Sequence, residues 1–302
     1  SCFITFTDFN QGLVRGIDNR KISNIIRLAN NDIWCAGLYS VYLLDKNKWQ
    51  EYPISGNEER ISDITQHGDT LVVLTRSNLY ASVSPYHQFR KIELKAPENY
   101  SPKTSLFRTI WLLHSGELFG TPGKLVVDFL GVVLIILSIT GIIYTFLPSF
   151  IRRRHRKRLP VKTQAKALKT SLNWHNKLGT WLIVLTILLS VTGMCLRPPL
   201  MIPFVLVNTN PIPGTTLDSD NPWHDKLRSI RWDASKNVWL LSSSTGFYLI
   251  NDFTLPPVKL KRTPPVSPMG VNVFYPKNPD EWLIGSFSGL FVWNPSTGSV
   301  LD

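Results

Sequence analysis

Two long apolar stretches lie in the middle of the chain, and both follow the same order of motifs. The first runs from Leu125 to Leu147 and the second from Leu178 to Leu196. Each follows a segment that holds a histidine, and each contains Leu-Ser-x-Thr-Gly, at residues 137–141 and 189–193. Because about 20 apolar residues cross the hydrocarbon core of a bilayer, the pattern predicts two transmembrane helices built to one plan.

The segments that flank the first span are also patterned. Residues 105–124 carry apolar side chains at helical spacing, with Arg108 and Glu117 between them, which predicts an interfacial helix on the outer face of the membrane. Pro148 is expected to end the first span. Residues 148–177 are then predicted to form a basic loop between the two spans.

Outside this region, short apolar runs alternate with turns rich in Asn, Asp and Gly. One unit of four such runs covers residues 22–54 and recurs over residues 61–94, with two further copies after residue 226. Four short strands repeating about every 40 residues are typical of a β-propeller blade. We therefore predict an α-helical membrane hairpin inserted between all-β, propeller-like blades, at residues 1–104 and 197–302. Two unrelated small β-domains are the alternative.

The position of the charge changes how the composition is interpreted. The net charge is +12, yet residues 151–177 alone hold ten Lys and Arg and no acid. An excess of Lys and Arg beside apolar spans indicates the cytoplasmic side and favours anionic lipid headgroups over nucleic acid as the partner. The two β regions are then expected outside the cytoplasm.

Three widely spaced cysteines match no zinc or haem-attachment spacing. A Cys2–Cys35 disulfide would be allowed in an oxidising compartment, whereas Cys195 lies in the second span and is expected to pack there. The chain opens at Ser1 without a signal peptide, although its first β region is expected outside. We therefore expect a further segment upstream, such as a signal-anchor helix.

Candidate chemistry is confined to the membrane region. His114 and His175 lie near opposite ends of the spans, and each could be an interface residue, a proton carrier or an axial ligand of haem iron. At opposite membrane faces they could not share one iron. Asp128 is the only acid inside either span, and is either functional or neutralised by Lys124 at i−4. No hydrolase motif is present, and no catalytic residue is predicted.

The ordered motifs around these residues resemble the PepSY-associated transmembrane family. They comprise His114-Ser-Gly-Glu-Leu-Phe-Gly-Thr-Pro-Gly-Lys, Trp174-His175-Asn-Lys-Leu-Gly179 and the two Leu-Ser-x-Thr-Gly patterns, within residues 106–196. The resemblance implies a bacterial inner-membrane protein, and for some members reduction of ferric siderophores through b-type haem. It would make His114 and His175 the ligands of haem iron, each needing a second ligand from an upstream helix or a second subunit.

Two functions follow as hypotheses. The first is haem b-dependent electron transfer to a periplasmic ferric siderophore or other iron chelate, with the β region docking the chelate or an iron-uptake partner. The second is a non-enzymatic, membrane-anchored β-propeller that senses or scaffolds periplasmic partners, with both histidines merely interfacial. The presence of haem distinguishes them.

Overall fold

The computed structural model describes residues 8–16, 20–54, 59–265 and 270–302. The chain divides into two compact units: residues 1–100 with 220–302, whose described part consists mainly of strands and turns, and residues 101–219, which are mainly helical. The segments on either side of the helical insertion therefore belong to one β unit.

The β unit consists of four antiparallel sheets, each formed by four consecutive strands paired in chain order. Their bounds are as follows: β1 Asn24–Arg27, β2 Ile33–Ala36, β3 Ser40–Asp45 and β4 Lys48–Pro53; β5 Ile61–His67, β6 Thr70–Thr75, β7 Leu79–Val83 and β8 Arg90–Ile92; β11 Leu227–Asp233, β12 Val238–Ser243, β13 Gly246–Ile250 and β14 Val258–Lys259; β15 Val271–Pro276, β16 Trp282–Ser286, β17 Gly289–Trp293 and β18 Val300–Leu301. Each sheet matches one copy of the predicted repeat.

The sheets stack face to face, with a separate apolar core at each junction. In β6, Leu71 and Val73 join the core shared with the first sheet, whereas Val72 and Leu74 join the core shared with the third sheet. Because successive strand residues point to opposite faces, a strand covered on both faces must be continuously apolar. The third junction is built the same way, around Trp282. Core packing is thus the role of many of the strand tryptophans.

The propeller interpretation is not confirmed. The contacts join the first sheet to the second, the second to the third and the third to the fourth, through their first strands. Among the described residues they do not close a ring. What the structure provides is an open succession of four antiparallel sheets among the described residues. Cys35 is buried in this stack, and burial raises the pKa of its thiol to about 12; Cys2, its proposed disulfide partner, lies outside the described residues.

One buried carboxylate joins the first strands of three sheets. Asp63 on β5 accepts hydrogen bonds from Asn24 Nδ2 at 2.9 Å, from the Ser229 hydroxyl and from the Ile230 amide at 3.1 Å. It also forms an ion pair with Arg231, whose Nη1 lies 2.5 Å away. The Arg231 guanidinium lies 5.2 Å from the centre of the Tyr275 ring on β15, so the network reaches the fourth sheet as well.

The helical unit begins and ends on a short antiparallel pair, β9 Thr104–Ser105 with β10 Asn208–Thr209. Between these strands lie a 3-10 turn, Glu117–Phe119, and four helices: α1 Leu106–Ser115, α2 Gly120–Arg156, α3 Lys162–Cys195 and α4 Met201–Leu206. Among the described residues, two helical segments are long and apolar enough to cross a membrane. They are Glu117–Arg156, which joins the 3-10 turn to α2, and Lys162–Cys195.

Three boundaries differ from those predicted. The segment 105–124 is not one helix, because α1 ends at Gly116 in the left-handed conformation and α2 begins at Gly120. Pro148 does not end α2, which continues to Arg156. Proline removes only one helical hydrogen bond, and membrane helices tolerate such breaks. The basic segment 148–177 is therefore mostly helical, and only Lys157–Val161 connects α2 to α3.

Asp63→Asn should strongly destabilise the β unit. The substitution leaves the largely buried Arg231 guanidinium without its counter-ion, and breaking such a pair typically costs about 3–5 kcal/mol. Thermal or denaturant unfolding of the detergent-solubilised protein, followed by tryptophan fluorescence, measures the change. Glu281→Gln, which breaks the exposed Lys277–Glu281 pair, is the control and should leave unfolding nearly unchanged. Equal effects of the two variants would contradict the role given to Asp63.

Candidate functional site

His114 is placed by a tight turn between α1 and α2. Gly116, two residues further on, ends α1 with φ of 76°. A Cβ on Gly116 would lie 2.3 Å from the Gly123 carbonyl oxygen, and a Cβ on Gly123 would lie 2.1 Å from the Gly116 carbonyl oxygen. Only two glycines allow the backbones to approach this closely. The turn holds the end of α1, and with it the His114 ring, against α3.

The His114 ring makes a bifurcated contact with α3. Its Nδ1 lies 3.1 Å from the Leu189 carbonyl oxygen and 3.0 Å from Thr192 Oγ1. A carbonyl oxygen can only accept, so Nδ1 must carry the proton. The Thr192 hydroxyl donates to its own helix, to the Leu188 carbonyl at 2.8 Å, and its oxygen is thereby left to accept from His114.

His175 repeats this contact with the opposite helix. Its Nδ1 lies 3.0 Å from Thr140 Oγ1 on α2. The Thr140 hydroxyl has the Ile136 carbonyl as an acceptor at 2.7 Å, and when it donates there, its oxygen can accept the His175 Nδ1 proton. Ser171, one turn before His175, donates to the Thr140 carbonyl at 3.2 Å and adds a second bond between the same two helices.

The two motif copies therefore exchange partners. His114 precedes the first Leu-Ser-x-Thr-Gly but contacts Thr192 of the second, and His175 precedes the second but contacts Thr140 of the first. The glycine after each threonine lies under the partner ring. A Cβ on Gly193 would lie 3.0 Å from His114 Cε1, and one on Gly141 would lie 3.5 Å from His175 Cε1. The threonine and glycine of each Leu-Ser-x-Thr-Gly pattern therefore contact the histidine ring of the other copy.

This geometry leaves one nitrogen of each ring available. With the proton on Nδ1, the Nε2 of a neutral imidazole carries a lone pair. Both rings are half-buried, and within the described part of the chain neither Nε2 has a hydrogen-bond partner. Metal-binding histidines commonly have this arrangement, with the other ring nitrogen donating to a carbonyl or similar acceptor. Each histidine is thus prepared to bind a cation or to accept a proton at Nε2.

The two sites lie far apart. His175 and Thr192 are about 17 positions apart on α3, which at about 1.5 Å per residue is about 25 Å. They cannot bind the same metal ion. In the described ranges, no cluster of three or more His, Cys, Asp or Glu side chains could hold a metal by itself.

Asp128 takes no part in either site. It is exposed on α2, and it has no hydrogen bond or ion pair with any residue that the structure describes. Neutralisation by Lys124, one of the two alternatives for Asp128, is not observed, because Lys124 Nζ instead lies 3.4 Å from Glu117 Oε1. The 3-10 turn brings Glu117 back over the first turn of α2, a proximity that helical spacing alone does not indicate.

The residues that sequence reasoning missed are Thr140, Thr192 and Ser171. The threonines were visible in the repeated Leu-Ser-x-Thr-Gly pattern, but the pattern did not indicate what they contact. To predict that they accept hydrogen bonds from the histidines of the other copy, one must know which helices pack against each other. Ser171 carries no motif, and only its spacing of one turn from His175 could have indicated it.

These features define a membrane protein with two candidate spans, carrying a β unit whose halves flank the spans in sequence. The chain belongs to the family described as the PepSY-associated TM region, whose model matches residues 48–226, well over half of its length. The match extends beyond the helical unit, into β4 to β8 on the N-terminal side and up to the residue before β11 on the C-terminal side, further than the motif resemblance reached. No curated protein matches the chain significantly.

Gly193→Ala should disturb the His114 contact, whereas Gly141→Ala should leave the His175 contact nearly intact. The added methyl group would lie closer than normal to the His114 ring, but at ordinary contact distance from the His175 ring. The ring ¹⁵N resonances of histidine-labelled protein in detergent report the protonated nitrogen. We expect Nδ1 to be protonated at both residues of the wild type, and the His114 signals to change only in Gly193→Ala. Equal changes in the two variants, or protonation at Nε2 in the wild type, would contradict this geometry.

Proposed function

We propose that this protein transfers electrons across a bacterial inner membrane through haem b, with His114 and His175 as ligands of haem iron. The acceptor would be a ferric siderophore or similar iron chelate in the periplasm. The observation that carries the proposal is that Nδ1 of each histidine lies within hydrogen-bond distance of an acceptor on a neighbouring helix, while neither Nε2 has a hydrogen-bond partner among the described residues.

Each site offers one imidazole nitrogen that would hold haem iron, from His114 or His175. Neutral imidazole is a common axial ligand of haem iron, and a bond from its other ring nitrogen fixes the tautomer and the ring orientation. Bound haem would supply one-electron chemistry that no side chain of this protein offers. Thr140 and Thr192 would hold the rings in place, while Gly141 and Gly193 would let each ring approach the neighbouring helix closely.

A second ligand of each haem iron would come from outside the two motifs. The other histidines of the described chain are His67, His87, His155 and His224, and none lies within the apolar stretches. A further helix or a second subunit would therefore donate the opposite ligand. Two histidines about 25 Å apart would place one haem toward each membrane surface, an arrangement suited to moving an electron across the bilayer.

The proposed orientation follows from charge. Ten Lys and Arg and no acid in residues 151–177 favour a cytoplasmic position for the connection between α2 and α3. The β unit would then lie in the periplasm, where it could receive the chelate or an uptake partner. Electrons would enter near His175 and leave near His114.

The stack of four sheets supports a second candidate function. Successive sheets share cores, and their first strands meet around Asp63, as expected of propeller blades arranged about an axis. In this alternative, the β unit is a membrane-anchored propeller that binds periplasmic partners without redox chemistry. The two His–Thr contacts would then serve only to join the helices.

Spectroscopy of the purified protein distinguishes the candidates. A reduced-minus-oxidised difference spectrum of the full chain in detergent should contain b-type haem bands. His114→Ala and His175→Ala should each remove part of the signal, because each deletes one iron ligand. His155→Ala, on the exposed end of α2, is the matched control and should retain the full signal.

The negative outcomes differ in meaning. Absence of haem bands, including after reconstitution with haem, would reject the redox proposal and favour the binding module. Haem bands that persist in both site variants would reject the assignment of His114 and His175 while leaving electron transfer open.

A further inference from the structure

A long apolar groove runs along the helical unit between α2 and the first half of α3. Its volume is about 720 Å³, and its lining is almost entirely apolar. α2 contributes Ile136, Thr140 and Ile143, and α3 contributes a stripe at helical spacing that includes Thr163, Lys166 and Trp174. No other part of the helical unit covers it.

The groove has the dimensions of one lipid chain. From Thr163 to Trp174 is about 11 positions, or about 16 Å along the helix at 1.5 Å per residue. Half of a hydrocarbon core of about 30 Å is about 15 Å. An acyl chain could therefore lie along the groove, from its basic end near Thr163 to the end marked by Trp174 and Ile136.

The positive charge at the other end of the groove indicates which lipid headgroup it would bind. Lys166 lines the groove near its basic end, and within the described residues it forms no ion pair or hydrogen bond. It belongs to the segment 151–177, which has ten basic residues and no acid. An anionic phosphate at the membrane surface is the complementary partner for such a cation, and basic pockets between membrane helices bind such headgroups.

We propose that this groove is a binding site for an anionic phospholipid of the leaflet that contacts the basic segment. The phosphate is held by Lys166, and one acyl chain lies between α2 and α3. The site does not depend on haem. It is nevertheless adjacent to the His175 site, because Thr140 and Ser171 line the groove and also form the bonds between the two helices. Lipid binding therefore stabilises the helix pair that positions His175.

Trp174 offers a local probe of the groove. Its side chain is 53% exposed and lies in the lining, whereas Trp181 on the same helix is 82% exposed and lies outside it. The full-length protein is reconstituted in phosphatidylcholine vesicles that contain a minor fraction of lipid with brominated acyl chains, which quench tryptophan on contact. Comparison of the wild type with Trp174→Phe and Trp181→Phe isolates the contribution of each residue.

We expect quenching of Trp174 to be severalfold stronger when the bromine is carried by phosphatidylglycerol than when it is carried by phosphatidylcholine. Trp181, which contacts bulk lipid, should show no such preference. Lys166→Gln should abolish the preference at Trp174. Lys169→Gln, one turn along the same helix and outside the lining, should retain it.

Three outcomes would overturn the proposal. Equal quenching of Trp174 by both brominated lipids would show that the groove contains only bulk lipid. Absence of quenching by either lipid would show that protein or a cofactor covers the groove. A preference that persists in Lys166→Gln but is lost in Lys169→Gln would show that the headgroup is held elsewhere.

Discussion

Polar groups between apolar helices need hydrogen-bond partners, and this requirement determines the contacts between the helices of the helical unit. In a bilayer no water is available to satisfy an N–H or a hydroxyl, so each must find a partner within the protein. Thr140 and Thr192 give their protons to carbonyls of their own helices. Their oxygens are then free to accept, which favours the imidazole proton on the nitrogen that faces them. The same local arrangement thereby favours the Nδ1-protonated tautomer of both histidines.

The same requirement determines which helices pack together. His114 reaches α3 only because the Gly116–Gly123 approach folds α1 back along the bundle, and His175 reaches α2 because α2 and α3 form an antiparallel hairpin. Each glycine after a threonine provides the space that the incoming ring occupies. The two copies of the motif thus form a reciprocal exchange: the histidine of each copy contacts the threonine of the other. Any cofactor or proton acting at Nε2 would depend on all three helices.

Structural features that depend on a single segment of the chain were predictable from the sequence. Both apolar helices, the four repeats of four strands and the positions of His114 and His175 follow from local periodicity. The partners of these histidines do not, because the motif order suggests pairing within each copy, whereas the antiparallel hairpin pairs across copies. The Lys124–Glu117 pair was missed for the same reason, since the 3-10 turn brings together residues that helical spacing separates. The prediction that Pro148 ends the first span was wrong, because a long apolar helix continues past one missing hydrogen bond.

Reciprocal exchange is the central claim, and double-mutant cycles on the unfolding of the detergent-solubilised protein test it most directly. His114→Ala with Thr192→Val, and His175→Ala with Thr140→Val, should each be non-additive, by about 0.6 kcal/mol and at most about 1.7 kcal/mol. The pairs within one motif copy, His114 with Thr140 and His175 with Thr192, should be additive. Reciprocal exchange would be contradicted if the pairs within one motif copy were non-additive and the pairs between copies were additive.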